Sequence, residues 1–404
     1  MIPVNEPLLN EQAMKYVEEC VRTGWISSAG RFIEEFEEKW AAYCGMKYGV
    51  AVSNGTTALQ VAVECIGLEP GDEVIMPTFT IISCAQAVVY NGGVPVLVDC
   101  DPRTWCMDVS QVEARITSRT RAIMPVHIYG HPVDMDPLLE LARRHDLIIV
   151  EDAAEAHGAE YKGRKCGGLG DLSCFSFYAN KIITTGEGGM VLTNREDYAE
   201  RLRSLRNLCF KKERRFYHTE LGHNFRLTNV QAAIGLAQLE RIEESVRHKR
   251  WMGAAYTERL RNVLGLQLPV EEPWAKNVYW MYGVVLDEST RLDAAEFARL
   301  LAARGVMTRP FFLGMHEQPV FRQMGLFKGE HYPVAERLAR QGLYLPSGMT
   351  LTEAQVESVC AIVRQVFHAM RMNQSCATPT RSTGELPDSQ TRGGYHETVN
   401  QTHD

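Results

Sequence analysis

The stretch Leu147-Ile148-Ile149-Val150-Glu151-Asp152-Ala153-Ala154-Glu155-Ala156-His157 decides the fold. Four consecutive aliphatic residues form the pattern of a strand covered on both faces, and such strands belong to parallel sheets with helical crossovers. The same rhythm extends outward. Val50-Ala51-Val52, Glu73-Val74-Ile75-Met76, Val94-Pro95-Val96-Leu97-Val98, Ala122-Ile123-Met124-Pro125-Val126 and Cys174-Phe175-Ser176-Phe177 read as further buried strands, with an amphipathic helix over 135–144. These elements predict an α/β domain over 33–245 behind an N-terminal arm at 1–32. Apolar residues at helical spacing (Ala233, Leu236, Leu239, Ile242) predict one long connecting helix over 229–256. A strand at 278–286 and helices at 294–304 and 353–367 suggest a smaller α+β domain over 246–371. From 372 to 404 the chain turns to Ser, Thr, Gln, Asn, Asp and Gly, a composition that cannot bury enough surface to offset its ordering and predicts a disordered tail.

Composition narrows the function classes. The chain has 404 residues, 45% of them hydrophobic and 23% charged, which is ordinary globular usage. With 43 Lys plus Arg against 50 Asp plus Glu, the net charge of -7 offers no field for nucleic acid. The 11 cysteines form no Cys-x-x-Cys pair, which argues against a zinc site or disulfide framework. The N-terminus lacks the basic and apolar regions of a signal peptide, and no apolar run approaches the ~18 residues of a membrane span. The expectation is a cytoplasmic protein with no membrane partner.

In an open α/β sheet ligands bind beyond the carboxyl ends of the strands, and three such ends stand out. Ser53-Asn54-Gly55-Thr56-Thr57 turns from a strand into a helix with small, hydroxylated opening residues, suited either to a phosphate or to plain helix capping. Glu151-Asp152 sets a carboxylate at the mouth of the sheet, where burial demands a facing cation or a capping role. Asn180-Lys181 follows a buried strand and precedes Gly186-Glu187-Gly188-Gly189; burial there would lower the amine's pKa and free a nucleophile. A phosphate cradle, a carboxylate for a pyridinium nitrogen and a Schiff-base lysine are together what pyridoxal 5'-phosphate requires.

Those motifs, with Glu155-Ala156-His157-Gly158 and Asn224-Phe225-Arg226-Leu227, resemble in order and spacing the DegT/DnrJ/EryC1/StrS nucleotide-sugar aminotransferases from about residue 2 to 368. Gly24-Trp25-Ile26-Ser27-Ser28, Pro125-Val126-His127-Ile128-Tyr129-Gly130 and Arg309-Pro310-Phe311-Phe312 are most similar to the perosamine-forming branch. The resemblance implies the fold type I aminotransferase architecture, aspartate aminotransferase-like with a mostly parallel sheet, and a homodimer with sites at the subunit interface. It implies that Lys181 carries the cofactor and moves protons, that Asp152 pairs with the ring nitrogen, and that Glu155 stands near the phenolic oxygen. Gly55, Thr56 and Ser176 would bind the phosphate, joined by Asn224 from the neighbouring subunit. His316 would contact the substrate; Arg309 would contact it or form a surface or interface salt bridge, and Trp25 would line the sugar pocket or anchor the N-terminal arm.

The reaction implied is amination of GDP-4-keto-6-deoxy-D-mannose by L-glutamate, giving GDP-perosamine and 2-oxoglutarate. Alternatives are a dTDP- or UDP-linked keto sugar, or a non-catalytic binding member of the fold; the presence of Lys181 argues against a related 3-dehydration. Ile81 departs from the family pattern, standing where relatives carry an aromatic residue over the ring, at a cost of ~0.5–1.5 kcal/mol if stacking is lost. His127 and His131 sit on a strand end and a loop, and His316-Glu317 lacks a second histidine, so no metal is expected.

Overall fold

The computed structural model describes residues 1–211 and 213–376. A seven-stranded sheet forms the centre, in the order Tyr48–Val52, Gly189–Thr193, Leu172–Ser176, Ile148–Asp152, Thr120–Ile123, Glu73–Pro77 and Val94–Val98. The pairings from Leu172–Ser176 through to Val94–Val98 are parallel. Gly189–Thr193 runs antiparallel to both of its neighbours; its glycine-rich approach hides it among loop signals in the sequence. The sheet is therefore mostly parallel and its architecture α/β, as expected.

Burial explains the strand sequences. Ile149 and Val150 are nearly or wholly inaccessible, and Leu172–Ser176 is buried along its length. The helices Gly55–Cys65, Ser83–Tyr90 and Met135–His145 turn apolar residues such as Val61, Val88 and Leu138 into the same core. A second apolar cluster joins Tyr256, Tyr282, Phe297, Val359 and Phe367 beneath a four-stranded sheet of Leu266–Gln267, Tyr282–Leu286, Gly342–Leu345 and Arg309–Pro310.

Several expected elements have different bounds. The connecting helix is two, Asn229–Leu239 and Ile242–Leu260, because Arg241 (φ -119, ψ 14) leaves helical geometry between them. The strand expected at 278–286 begins only at Tyr282. Tyr279 adopts φ 48, and Val278 N donates to Gly130 O, so 278–281 is a turn tied to the large sheet's loops. The last helix runs Glu353–Cys376, past the expected start of the tail at 372; the remainder of that tail lies outside the described residues. Among the described residues no helix is long and apolar enough to cross a membrane.

Register aligns the three strand ends. Gly189 pairs with Val52 on one side and Ser176 on the other, and Asp152 pairs with Cys174. The turns that follow Val52, Asp152 and Ser176 thus open at one edge of the sheet.

Candidate active site

A cavity of about 410 Å³ lies at that edge, and Gly55, Thr56, Glu155, Ser176, Lys181 and Arg309 all line it. Asn54 caps the helix Gly55–Cys65: its side chain accepts from Thr57 N, and its own N–H donates to Thr57 Oγ1. The capping reading and the phosphate reading are thus compatible. The cap takes the third helical amide, while the leading amides of a helix have no partner within it. A Cβ on Gly55 would lie 2.6 Å from Ser176 Cβ, so only glycine lets this turn close on the Ser176 strand. Thr56 Oγ1 and Ser83 Oγ, 2.8 Å apart, add two hydroxyls to the cradle.

Asp152 is buried at the end of its strand. Its Oδ1 accepts from Ala154 N (3.0 Å) and its Oδ2 from the Cys84 thiol (3.0 Å). Burial, together with the neighbouring carboxylate, pushes the Cys84 thiol far up, so the sulfur keeps its proton and donates it. Glu155 Oε2 accepts from Tyr129 N at 2.7 Å, and its Oε1 lies 3.9 Å from Lys181 Nζ. Burial raises the Glu155 carboxyl to about 7 against the opposing pull of the Lys181 charge. Burial lowers the Lys181 amine, with Glu155 and then Asp152 acting in the other direction. Burial thus acts on the Lys181 amine in the direction its sequence position suggests.

Glu151, the other member of the acidic pair, faces away from this site. It accepts bonds from His127 Nε2, Leu169 N, Gly170 N and Ser173 Oγ at 2.9–3.0 Å, and from Gly167 N. His127, Glu151 and Cys166 bring ligand-type atoms within 4.8 Å of one another. Because His127 Nδ1 accepts from Val133 N, its Nε2 carries the proton and donates to Glu151, which makes the group a hydrogen-bonded clamp on the 167–173 loop.

The smaller sheet and its loops supply a second wall of Trp280, Arg309, Phe312 and Tyr344. Sequence reading missed Trp280 and Tyr344, which lay inside runs of apolar residues with nothing to mark them. Ile81 also lines the cavity, so an aliphatic contact at that position stands alongside an aromatic wall contributed from elsewhere.

Besides Asp152, which is buried and not among the lining residues, three expected contacts lie outside the cavity. His316 is 1% exposed, its Nδ1 2.8 Å from Thr78 Oγ1 and its Nε2 3.2 Å from Glu336 Oε1. Both ring nitrogens are engaged, so the expected sugar contact gives way to a link between the 315–317 turn and the end of the Glu73–Pro77 strand. Trp25 is 57% exposed and away from the cavity; only its carbonyl is engaged, by Asn229 Nδ2. Asn224 is exposed, bridges to Asn207 and does not line the cavity of its own chain.

The cavity fits a phosphorylated pyridine aldehyde. It offers a glycine-floored helix start for the phosphate and an amine of lowered pKa, with the buried Asp152 carboxylate two residues before Ala154 on its wall. Asn180 Oδ1 on its wall is buried without a hydrogen-bond partner. Fold and site together define a pyridoxal-phosphate transferase.

Residues 7–364 match the model of the DegT/DnrJ/EryC1/StrS aminotransferase family, and the chain belongs to that family, whose cofactor is pyridoxal 5'-phosphate. It is 47% identical over 368 residues to a protein named GDP-perosamine synthase from Caulobacter vibrioides, covering 91% of this chain and 98% of that one. It is 40% identical over 366 residues to one of the same name from Escherichia coli O157:H7, covering 91% and 98%. Among solved structures, the aminotransferase TlmJ from Streptoalloteichus hindustanus superposes with a TM-score of 0.86 at 33% identity, covering 92% of this chain and all of that one.

Proposed function

We propose that this chain transfers the amino group of L-glutamate to C4 of GDP-4-keto-6-deoxy-D-mannose, forming GDP-perosamine and 2-oxoglutarate. The observation that carries the reading is the grouping of Lys181 and Glu155 on one cavity with the Gly55-Thr56 helix start, with the buried Asp152 close enough to act on the Lys181 charge. The choice of sugar is supported by the near full-length similarity to two GDP-perosamine synthases.

Pyridoxal phosphate supplies an aldehyde that condenses with amines and a ring that takes up the electron pair released at carbon. Each residue has a distinct task. Gly55, Thr56 and Ser176 would hold the phosphate, and Asp152 would pair with the ring nitrogen and favour its protonated form. Glu155, near neutrality in its titration, shares a proton at the phenolic oxygen. Lys181 would hold the cofactor as the amine that glutamate displaces, would take up the proton of the donor's α-carbon, and would later return a proton to C4 of the sugar. Arg309 meets the substrate's negative charge.

The same reading takes the enzyme as a cytoplasmic homodimer in which Asn224 of one subunit completes the phosphate site of the other. Residues 1–32 form the arm, 33–245 the cofactor-binding domain and 246–371 the smaller domain.

Visible absorbance of the cofactor-loaded protein tests the proposal. L-glutamate is expected to remove the lysine-bound band, and GDP-4-keto-6-deoxy-D-mannose, but not its dTDP counterpart, to restore it, with Lys181→Ala silent throughout. Loss of the band without restoration by the GDP-sugar would contradict the acceptor.

A further inference from the structure

Lys181 faces more than a carboxylate. Its Nζ lies 3.8 Å from the centroid of the Trp280 ring, while Glu155 Oε1 approaches at 3.9 Å. Trp280 is fixed in that pose. Its Nε1 donates to Asn180 O, the carbonyl preceding Lys181, at 2.8 Å, and its ring stacks on Tyr129 at 6.3 Å and 17°. Its own carbonyl accepts from the buried Lys249 Nζ at 2.7 Å. A Cβ on Gly130, which has φ 98, would come within 2.9 Å of Trp280 N, so the turn carrying the indole packs directly on the loop whose Tyr129 holds Glu155.

We infer that Trp280 is a catalytic residue whose aromatic face stabilises the ammonium form of Lys181 and so sets the proton affinity of the lysine that transfers protons. The inference rests on the proposed role of Lys181.

A neutral lysine that removes a proton from the donor's α-carbon breaks a C–H bond and forms an N–H bond, and the electron pair left on carbon is taken up by the ring. The resulting ammonium must persist in a site that burial makes hostile to charge. An indole face in van der Waals reach attracts a desolvated cation without offering a base that could keep the proton. Glu155 and Asp152 also favour the charged amine, and His157, buried near it, titrates only far below neutrality, to about 3, through burial and then the Lys181 charge. Glu187, Arg309 and the phenols of Tyr178 and Tyr344 line the same cavity. Trp280 is the contributor that carries no charge and no exchangeable proton at the contact.

The test uses the full chain freed of cofactor by dialysis against hydroxylamine, and follows the rate at which added pyridoxal phosphate is captured across a pH series. Only the neutral amine attacks the aldehyde, so the midpoint of the profile reports the Lys181 proton. Replacing the chain's six tryptophans with mono-, di- and trifluorinated analogues drains the ring face while preserving shape and the Nε1 bond. The expected result is a midpoint that falls stepwise with fluorine number. In Trp280→Leu it should fall by about one pH unit, the shift that loss of a desolvated cation–π contact produces. Should Trp280→Leu fail to fold, the fluorinated proteins decide alone. A midpoint indifferent to fluorination would overturn the inference, as would an equal stepwise shift in a Trp280→Phe background, where the fluorinated rings lie elsewhere. Capture by Lys181→Ala with the wild-type profile would instead overturn the lysine assignment itself, and the inference with it.

Discussion

Lys181 and Lys249 are both withdrawn from water, and burial lowers the pKa of each, that of Lys249 to about 7. Their surroundings differ. Lys249, 1% exposed in the helix Ile242–Leu260, donates hydrogen bonds to the carbonyls of Trp280 and Ser347, and no carboxylate among the described residues pairs with it. Lys181 donates to no carbonyl in this way. Its side chain is 10% exposed and borders the cavity between Glu155 and the Trp280 ring. A lowered pKa therefore does not distinguish a nucleophile from a structural pin; an open cavity and partners that can exchange protons do.

Substitution should separate the two lysines most sharply in turnover. Lys181→Ala is expected to lower kcat by about 10⁴-fold, the upper range for a positioned proton-transfer group, without altering the melting temperature much. Lys249→Met should cost far less turnover, and similar losses in both would break the comparison. Next in size, Asp152→Asn should lower kcat by about 10²-fold while the Lys181 adduct still forms, since the variant loses charge at the ring nitrogen and keeps its shape. Full activity in Asp152→Asn would remove the carboxylate from the site.

The stability consequences run the other way. Lys249→Met orphans two carbonyls and should destabilise by about 1–3 kcal/mol for each bond left unmade. Its pH dependence has a definite sign. The unfolded chain holds the Lys249 proton up to about pH 10.4 and the folded chain only to about 7. Between those values the unfolded state binds more protons, so wild-type stability should gain on that of Lys249→Met as pH rises from 7 towards 10. Urea unfolding at pH 7 and 9 reads this gap, and a constant difference would refute the assignment. Gly55→Ala, smaller again, should cost about 1–3 kcal/mol through overpacking against Ser176 and weaken cofactor retention, measured by melting with and without added cofactor.

The floor of the site was legible in the sequence and its far wall was not. Gly55, Asp152 and Lys181 follow buried strands, and a parallel sheet gathers such positions at one edge, so residue type and topology together place them. Trp280 sits in an unbroken apolar run that reads as a buried strand. Only the left-handed turn at Tyr279, fixed by contact with Gly130, brings its ring back over Lys181. The pairing of His316 was hidden for a similar reason, because its partners Thr78 and Glu336 lie 238 and 20 residues away and nothing local signals it. The antiparallel Gly189–Thr193 strand was masked by its glycine-rich approach, and the helix break at Arg241 by unbroken apolar spacing.

The central claim is that the cofactor joins Lys181 and not the second buried lysine. Borohydride reduction of the cofactor-loaded protein, followed by proteolysis and peptide mass mapping, tests it directly. The account predicts the reduced pyridoxyl mass on the peptide containing Asn180-Lys181-Ile182, and its loss after prior addition of L-glutamate. The same mass on the Lys249 peptide, or on neither, would contradict it.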